Sequence, residues 1–165
     1  MRTKKKASQA PSIEKQPQNK LRVLTTNDNA TFKIMDSVLM KYSTTIRGML
    51  EDEKNEEDIK LLEVDSEAMK YLVKFLELHE DKEPEKMYYP LKSNQDIKLV
   101  MEEKDADLVH EVMNSKDDDL ALFKKVLDAT SYLQIEDFKK RLMAGLTIKL
   151  LKSTVDELKE EYDIK

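Results

Sequence analysis

The stretch LRVLTTNDNATFKI, residues 21–34, decides how the fold begins. Its two ends, residues 21–25 and 31–34, alternate between apolar and polar side chains, as a half-buried β-strand does. Residues 26–29 between them read TNDN, and Asn and Asp favour turns because their short side chains hydrogen-bond to the nearby backbone. The stretch therefore predicts a β-hairpin.

Toward the C-terminus, the spacing of apolar residues predicts helices and one more strand. Residues 36–52 repeat apolar side chains every three or four positions, which is typical of one helix face, and these are Leu39, Tyr42, Ile46, Met49 and Leu50. The polar run at 43–45 predicts a break into two short helices. Residues 59–64 (IKLLEV) predict a third strand, and Asp65 and Ser66 predict the N-cap of a helix that runs to His79.

The stretch from about 79 to 107 interrupts this pattern. It is rich in charge, contains Pro84 and Pro90 and lacks sustained periodicity, so we interpret it as a long, partly mobile acidic insertion with a candidate strand at about 97–101. Beyond it, periodic runs at 120–133 and 135–151 predict two helices, and the capping box of Thr154 and Glu157 predicts a third. This order predicts an α+β fold, a small sheet covered by helices.

Composition and charge exclude several classes of protein. The 165 residues contain no Cys and two Gly, which excludes disulfides, Cys-based metal sites and a glycine-rich phosphate loop. Residues 1–20 hold six basic residues against one acid and read as a disordered basic tail, so the acidic excess lies in the rest of the chain. That excess argues against a nucleic-acid partner. No apolar run reaches membrane-spanning length, so we expect no membrane partner.

No motif supports catalysis, a metal site or a cofactor. His79 and His110 are too far apart in sequence to form a paired-histidine metal motif, and the acidic run at 117–119 lacks the spacing of a calcium loop. An enzyme would require a cluster of ionisable groups in a cleft, such as His110 buried beside Asp105 or Asp107. We therefore expect a protein that is not an enzyme.

The C-terminal part carries more apolar residues than one core-facing stripe requires. They run from Phe138 to Ile164 and occupy neighbouring stripes in the predicted helix at 135–151. One stripe can pack inward while the other binds a partner helix, as Met- and Leu-rich surfaces often do. The alternative is that both stripes are core.

Four blocks of sequence resemble the S-phase kinase-associated protein family, the F-box-binding adaptors of SCF-type cullin–RING ubiquitin ligases. The blocks are STTIRGMLED (43–52), VDSEAMKYLVKFLELHEDKEPE (64–85), LFKKVLDATSYLQIEDF (122–138) and KSTVDELKEEYDIK (152–165). The resemblance implies a BTB/POZ-like fold with two appended C-terminal helices. On this basis residues 21–135 form a POZ-like domain with the insertion at about 80–107, and residues 136–165 form the partner-binding helices. The chain resembles a divergent member, because it ends at Lys165 without the family's usual C-terminal tail.

The resemblance also implies partners and the residues that contact them. F-box proteins would bind a set of apolar residues in the C-terminal helices: Phe138, Leu142, Met143, Leu146, Leu150, Val155, Leu158, Tyr162 and Ile164. A cullin N-terminal repeat would contact Ser131 and Tyr132, where Ser131 replaces the family's usual Asn. The expected role is a non-catalytic adaptor in ubiquitin-dependent degradation, in the cytoplasm and nucleus. The alternative is a BTB-like structural protein that homodimerises when free and has lost cullin or F-box binding.

Overall fold

The computed structural model describes residues 20–51, 58–91, 96–114, 120–153 and 157. The strands are β1 (Leu21–Thr26), β2 (Thr31–Met35) and β3 (Ile59–Leu61). The helices are α1 (Asp36–Tyr42), α2 (Thr44–Glu51), α3 (Ser66–Leu78), α4 (Glu103–Met113), α5 (Ala121–Tyr132) and α6 (Glu136–Lys152), with a 3₁₀ helix at Ile97–Leu99. This arrangement confirms the predicted α+β class.

The sheet has three strands in the order β2-β1-β3, so the first strand is central. The hairpin pairs Leu24 with Phe32 in antiparallel register, and the parallel pairing on the other side sets Leu24 opposite Ile59. The chain reaches β3 through α1 and α2. The third strand is three residues long and ends before the predicted position 64, because residues 62–63 form a turn.

The predicted break between α1 and α2 falls at Ser43 and has a clear local cause. The Ser43 hydroxyl oxygen accepts a hydrogen bond from the backbone N–H of Ile46 at 3.1 Å, which caps the first turn of α2. The same hydroxyl donates to the carbonyl oxygen of Leu133 at 2.6 Å, beyond the end of α5. One side chain thus starts a helix and joins the two halves of the chain.

The start of α3 is held by two carboxylates. The side chain of Asp65 accepts from the backbone N–H of Ala68 at 2.8 Å, as the N-cap prediction requires. Asp28, in the hairpin turn, accepts from the backbone N–H of Ser66 at 3.1 Å and from its hydroxyl at 2.5 Å. These bonds, with one from Thr26, lower the pKa of Asp28 to about 2. The hairpin is thereby fixed to the positive end of the α3 dipole.

The core lies between the sheet and the helices and is continuous from Leu24 to Ile148. Phe75 of α3 is at its centre, where its ring stacks on that of Phe138 in α6 at a centroid distance of 4.6 Å. On its other side Phe75 meets the edge of Tyr42 at 6.1 Å. The POZ-like part and α6 therefore share one core.

Two expectations for the insertion need correction. The strand predicted near 97–101 is wrong, because Asp96 caps the N–H of Lys98 at 2.9 Å and Ile97–Leu99 forms a 3₁₀ turn instead. Helix α4, which begins at Glu103 within the predicted insertion, was not predicted. The basic tail at 1–19, the acidic run at 117–119 and the capping box at Thr154 lie outside the described residues.

Candidate partner-binding surface

Helix α6 presents two different faces. Its inner face packs into the core through Phe138, Arg141, Leu142, Gly145 and Ile148. The opposite face carries apolar side chains that we call the outer stripe, namely Met143, Leu146, Leu150 and Leu151. Met143, Leu150 and Leu151 are 41%, 39% and 62% exposed, and Leu146 is half-buried. A helix with apolar residues on the face opposite the core has surface left for a partner.

Helix α4 lies against α6 at a close approach around Gly145. A Cβ placed on Gly145 would lie 2.5 Å from Cγ1 of Val109 and 2.9 Å from Sδ of Met113. Only a residue without a side chain leaves room for the side chains of Val109 and Met113 against the backbone of α6. The glycine thereby sets the position of α6, and with it the position of the outer stripe.

A buried ionic network holds the same helix from the inside. Asp105 of α4 accepts from Nε of Arg141 at 2.5 Å through one carboxylate oxygen, and its other oxygen lies 2.7 Å from Nε2 of His79. Burial opposes the charge on Asp105, but the hydrogen bonds from His79 and Arg141 and the positive charge of Arg141 outweigh it, so the pKa of Asp105 is lowered. The network joins α3, α4 and α6.

The network also fixes the chain that follows α3. Nη2 of Arg141 donates to the carbonyl oxygen of Glu85 at 2.7 Å, and Nδ1 of His79 lies 3.2 Å from the carbonyl oxygen of Lys82. The hydroxyl of Tyr42 donates to the carbonyl oxygen of His79 at 2.6 Å. The start of the predicted insertion is therefore hydrogen-bonded to the core through residue 85.

The predicted F-box-contacting residues fall into three groups. Phe138 and Leu142 are fully buried on the inner face, where they support α6. Met143, Leu146 and Leu150 belong to the outer stripe. The remaining four lie outside the described residues and are Val155, Leu158, Tyr162 and Ile164.

The predicted cullin-contacting residues lie at the end of α5. Ser131 is exposed and Tyr132 is half-buried against the core. The carbonyl oxygen of Tyr132 accepts from the hydroxyl of Thr45 at 3.0 Å, so α2 supports this corner. Gln134 follows with a φ of 51°, in the left-handed region, where the chain turns into α6.

The described residues contain no cluster of three or more His, Cys, Asp or Glu that would bind a metal ion. His110, which the enzyme hypothesis placed beside Asp105 or Asp107, is exposed, and His79 occupies the position beside Asp105 instead. Both oxygens of Asp105 already accept hydrogen bonds in the core, so this network is built to hold helices together. Within the described ranges, no helix is both long and apolar enough to cross a bilayer.

The sequence analysis paired Asp105 with His110 and did not single out Arg141, although the buried pair of Asp105 and Arg141 left a signal. Arg141 lies three residues after Phe138 and four before Gly145, on the buried face, and Asp105 precedes the apolar positions 106, 108 and 109 of α4. Opposite charges at two apolar helix positions indicate a buried pair, because an unpaired buried charge is too costly.

Comparison with known proteins agrees with the N-terminal half of this architecture. The family model described as "Skp1 family, tetramerisation domain" matches residues 20–81, which span the sheet, α1, α2 and α3. No curated protein matches the chain significantly. The small sheet with its covering helices is the arrangement of a BTB/POZ-like fold. Residues 20–81 of this chain are therefore similar to the tetramerisation domain of the Skp1 family, and the fold agrees with that similarity.

Proposed function

We propose that this chain is a non-catalytic adaptor of an SCF-type ubiquitin ligase, which joins F-box substrate receptors to a cullin. The observation that carries the proposal is the outer stripe of α6, an exposed apolar face opposite a packed inner face, in a chain whose residues 20–81 match the Skp1 family model. An adaptor of this kind needs two interaction surfaces and no reactive group. The outer stripe supplies one surface, and the end of α5 supplies the other.

The outer stripe has the character of a binding surface for an apolar helix. Covering the exposed parts of Met143, Leu150 and Leu151 would contribute about 1 kcal/mol for each side chain, since full burial of such a residue is worth about 1.5–3 kcal/mol. The helix is held in place by Gly145 and by the Asp105 network, so little order has to be gained on binding.

The two proposed surfaces lie toward opposite ends of α6. Leu150 lies 14 residues beyond Glu136, where α6 begins, which corresponds to about 21 Å along the helix axis. Ser131 and Tyr132 lie before that start, at the end of α5. We therefore place the cullin at the α5 end and the F-box on the C-terminal half of α6.

The F-box surface is tested by Met143→Asp/Leu150→Asp in a pull-down with F-box proteins. We expect binding to be lost while the circular dichroism spectrum is unchanged, because both side chains are exposed. The matched control is Leu62→Asp, a more exposed apolar residue beside β3 (74% exposed), which should bind as the wild type does. Full binding by the double variant would contradict the proposal.

The cullin surface is tested separately with Ser131→Arg, which places a long cation at the exposed end of α5. We expect loss of cullin N-terminal repeat binding with F-box binding retained. The control is Asp128→Arg, another exposed position on α5, one turn earlier. Equal cullin binding by Ser131→Arg and wild type would remove this part of the proposal.

The competing function is self-association through the POZ-like domain, and the family model's description as a tetramerisation domain favours it. Sedimentation of the full chain with and without an F-box protein separates the two functions. A dimer or tetramer that the F-box protein leaves unchanged favours self-association. A 1:1 complex favours the adaptor.

A further inference from the structure

All the sulfur in this chain belongs to methionine. The sequence holds nine Met and no Cys, so an oxidant that reaches the protein meets thioethers and no thiol. Within the described ranges, every methionine except Met143 is buried or half-buried. Met143 is 41% exposed. Because an oxidant must reach the sulfur atom, Met143 is the described methionine that we expect to react first.

Met143 is also a member of the outer stripe, where oxidation would change the character of the surface. The sulfoxide is polar, whereas the surrounding stripe is apolar. Thr147, one turn further along this side of α6, already donates its hydroxyl hydrogen to the carbonyl oxygen of Met143 at 2.8 Å, so it has no proton left for the new oxygen. A partner helix that covers Met143 would therefore bury the sulfoxide oxygen against apolar groups, which is unfavourable.

We propose that Met143 is an oxidation site through which peroxide keeps partners off the outer stripe. This inference rests on the proposed adaptor function and gives its F-box surface a form of regulation. Hydrogen peroxide transfers one oxygen atom to the sulfur, so that an S–O bond forms, the O–O bond breaks and water leaves. The sulfur loses two electrons and the peroxide gains them. A methionine sulfoxide reductase with a dithiol reverses the change, producing a disulfide and water.

The reaction should depend on whether a partner is bound. In the free chain Met143 meets solvent, whereas a helix seated on the outer stripe would cover it. Peroxide would therefore act on the free adaptor and prevent it from taking up an F-box protein, while a complex that has already formed would be protected.

The site itself is tested by peptide mass spectrometry of the full chain after graded treatment with hydrogen peroxide. Met143 should be oxidised before the half-buried Met40 and Met113, and Met69, which is 0% exposed, should react last. An F-box protein added before the peroxide should slow the oxidation of Met143 and leave that of Met40 unchanged. Earlier reaction of Met40 or Met113 would overturn the inference.

The effect on binding is measured with the same samples. Wild type in which Met143 is oxidised should bind the F-box protein about tenfold more weakly, with an unchanged circular dichroism spectrum. A tenfold change corresponds to about 1.4 kcal/mol, which lies within the cost of about 1–3 kcal/mol for burying a polar group without a partner. Treatment with the reductase should restore binding.

Two leucine variants show whether the effect belongs to Met143. Met143→Leu keeps an apolar side chain of similar volume without sulfur, so it should bind the F-box protein equally before and after peroxide. Met40→Leu is the matched control, because it removes the sulfur of a half-buried methionine on α1, and it should lose binding after peroxide as the wild type does. Loss of binding by peroxide-treated Met143→Leu would overturn the inference.

Failure of this inference is distinguishable from failure of the adaptor function. If untreated wild type binds the F-box protein and oxidation of Met143 leaves that binding unchanged, only the regulation is wrong. If neither untreated wild type nor untreated Met143→Leu binds an F-box protein, the adaptor function is wrong and so is the regulation that rests on it.

Discussion

The same substitution should have opposite effects at the two glycines of this chain. Gly48 and Gly145 both lie inside helices, so replacing either by Ala gains about 0.8–1.0 kcal/mol of intrinsic helix stability. A Cβ on Gly48 would meet nothing within 4 Å. Gly48→Ala should therefore stabilise the protein by nearly this full amount.

At Gly145 the added methyl group meets a fixed neighbour. Cγ1 of Val109 would lie 2.5 Å from the new Cβ, and Val109 is fully buried with a β-branched side chain that has few alternative rotamers. Helices α4 and α6 must then move apart, and overpacking of this kind costs about 1–3 kcal/mol. After the helix-propensity gain is subtracted, Gly145→Ala should destabilise by about 1 kcal/mol.

Urea unfolding followed by circular dichroism at 222 nm measures both variants. The difference between them, about 1–3 kcal/mol, isolates the clash because the helix-propensity gain is common to both. Val109→Ala in the Gly145→Ala background should recover part of the loss, giving a coupling energy that distant sites do not show. If Gly145→Ala stabilises as much as Gly48→Ala, the close packing of α4 on α6 is refuted.

Three further predictions concern polar groups. Asp105→Asn should cost about 3–5 kcal/mol in urea unfolding, because it leaves the buried charge of Arg141 without its carboxylate partner. Folding lowers the pKa of Asp105, so its contribution to stability is present above the unfolded pKa of about 3.9 and is lost as the pH falls below that value. In Asp105→Asn the free energy of unfolding should therefore fall less steeply with decreasing pH. Asp28 should titrate near pH 2 by NMR. Ser66→Ala should raise the pKa of Asp28, because the hydrogen bond from the Ser66 side chain is the largest cause of the lowered value. An unchanged pKa in this variant would show that the bond does not form in solution. Ser43→Ala should lose about 1–3 kcal/mol, because a buried N–H and a buried carbonyl each lose a partner, and a neutral result would contradict that assignment.

Local signals predicted the N-terminal part of the fold well. The hairpin, the helix break at Ser43 and the Asp65 cap were predicted because each depends on residues within a few positions of one another. The candidate partner surface was predicted in the same way, from apolar spacing in α6, and Met143 and Leu150 are indeed exposed. The role of these residues in binding an F-box protein, and the four predicted residues outside the described part of the chain, stay predictions.

Distant pairings could not be predicted in this way. Helix α4 was missed because Asp105 interrupts its apolar pattern, and the groups that make this charge tolerable, His79 and Arg141, lie 26 and 36 residues away in sequence. Periodicity describes one segment at a time, so it cannot show that a charge is neutralised by another segment. The strand predicted at 97–101 was wrong for a similar reason. Among the described residues, Ile97–Leu99 lies against α4 and α6 and pairs with no strand.

The bonds from Ser43 and Thr45 to the carbonyls of residues 133 and 132 have a consequence for synthesis on the ribosome. The Ser43 bond spans 90 residues and the Thr45 bond spans 87 residues. The α1–α2 corner therefore leaves the ribosome long before the segment that carries the two acceptor carbonyls. At roughly 5–20 residues per second, the wait lasts about 5 to 18 s. During that time the hydroxyls of Ser43 and Thr45 lack their carbonyl acceptors and must bond to water, so this corner of the fold is completed only when the end of α5 arrives.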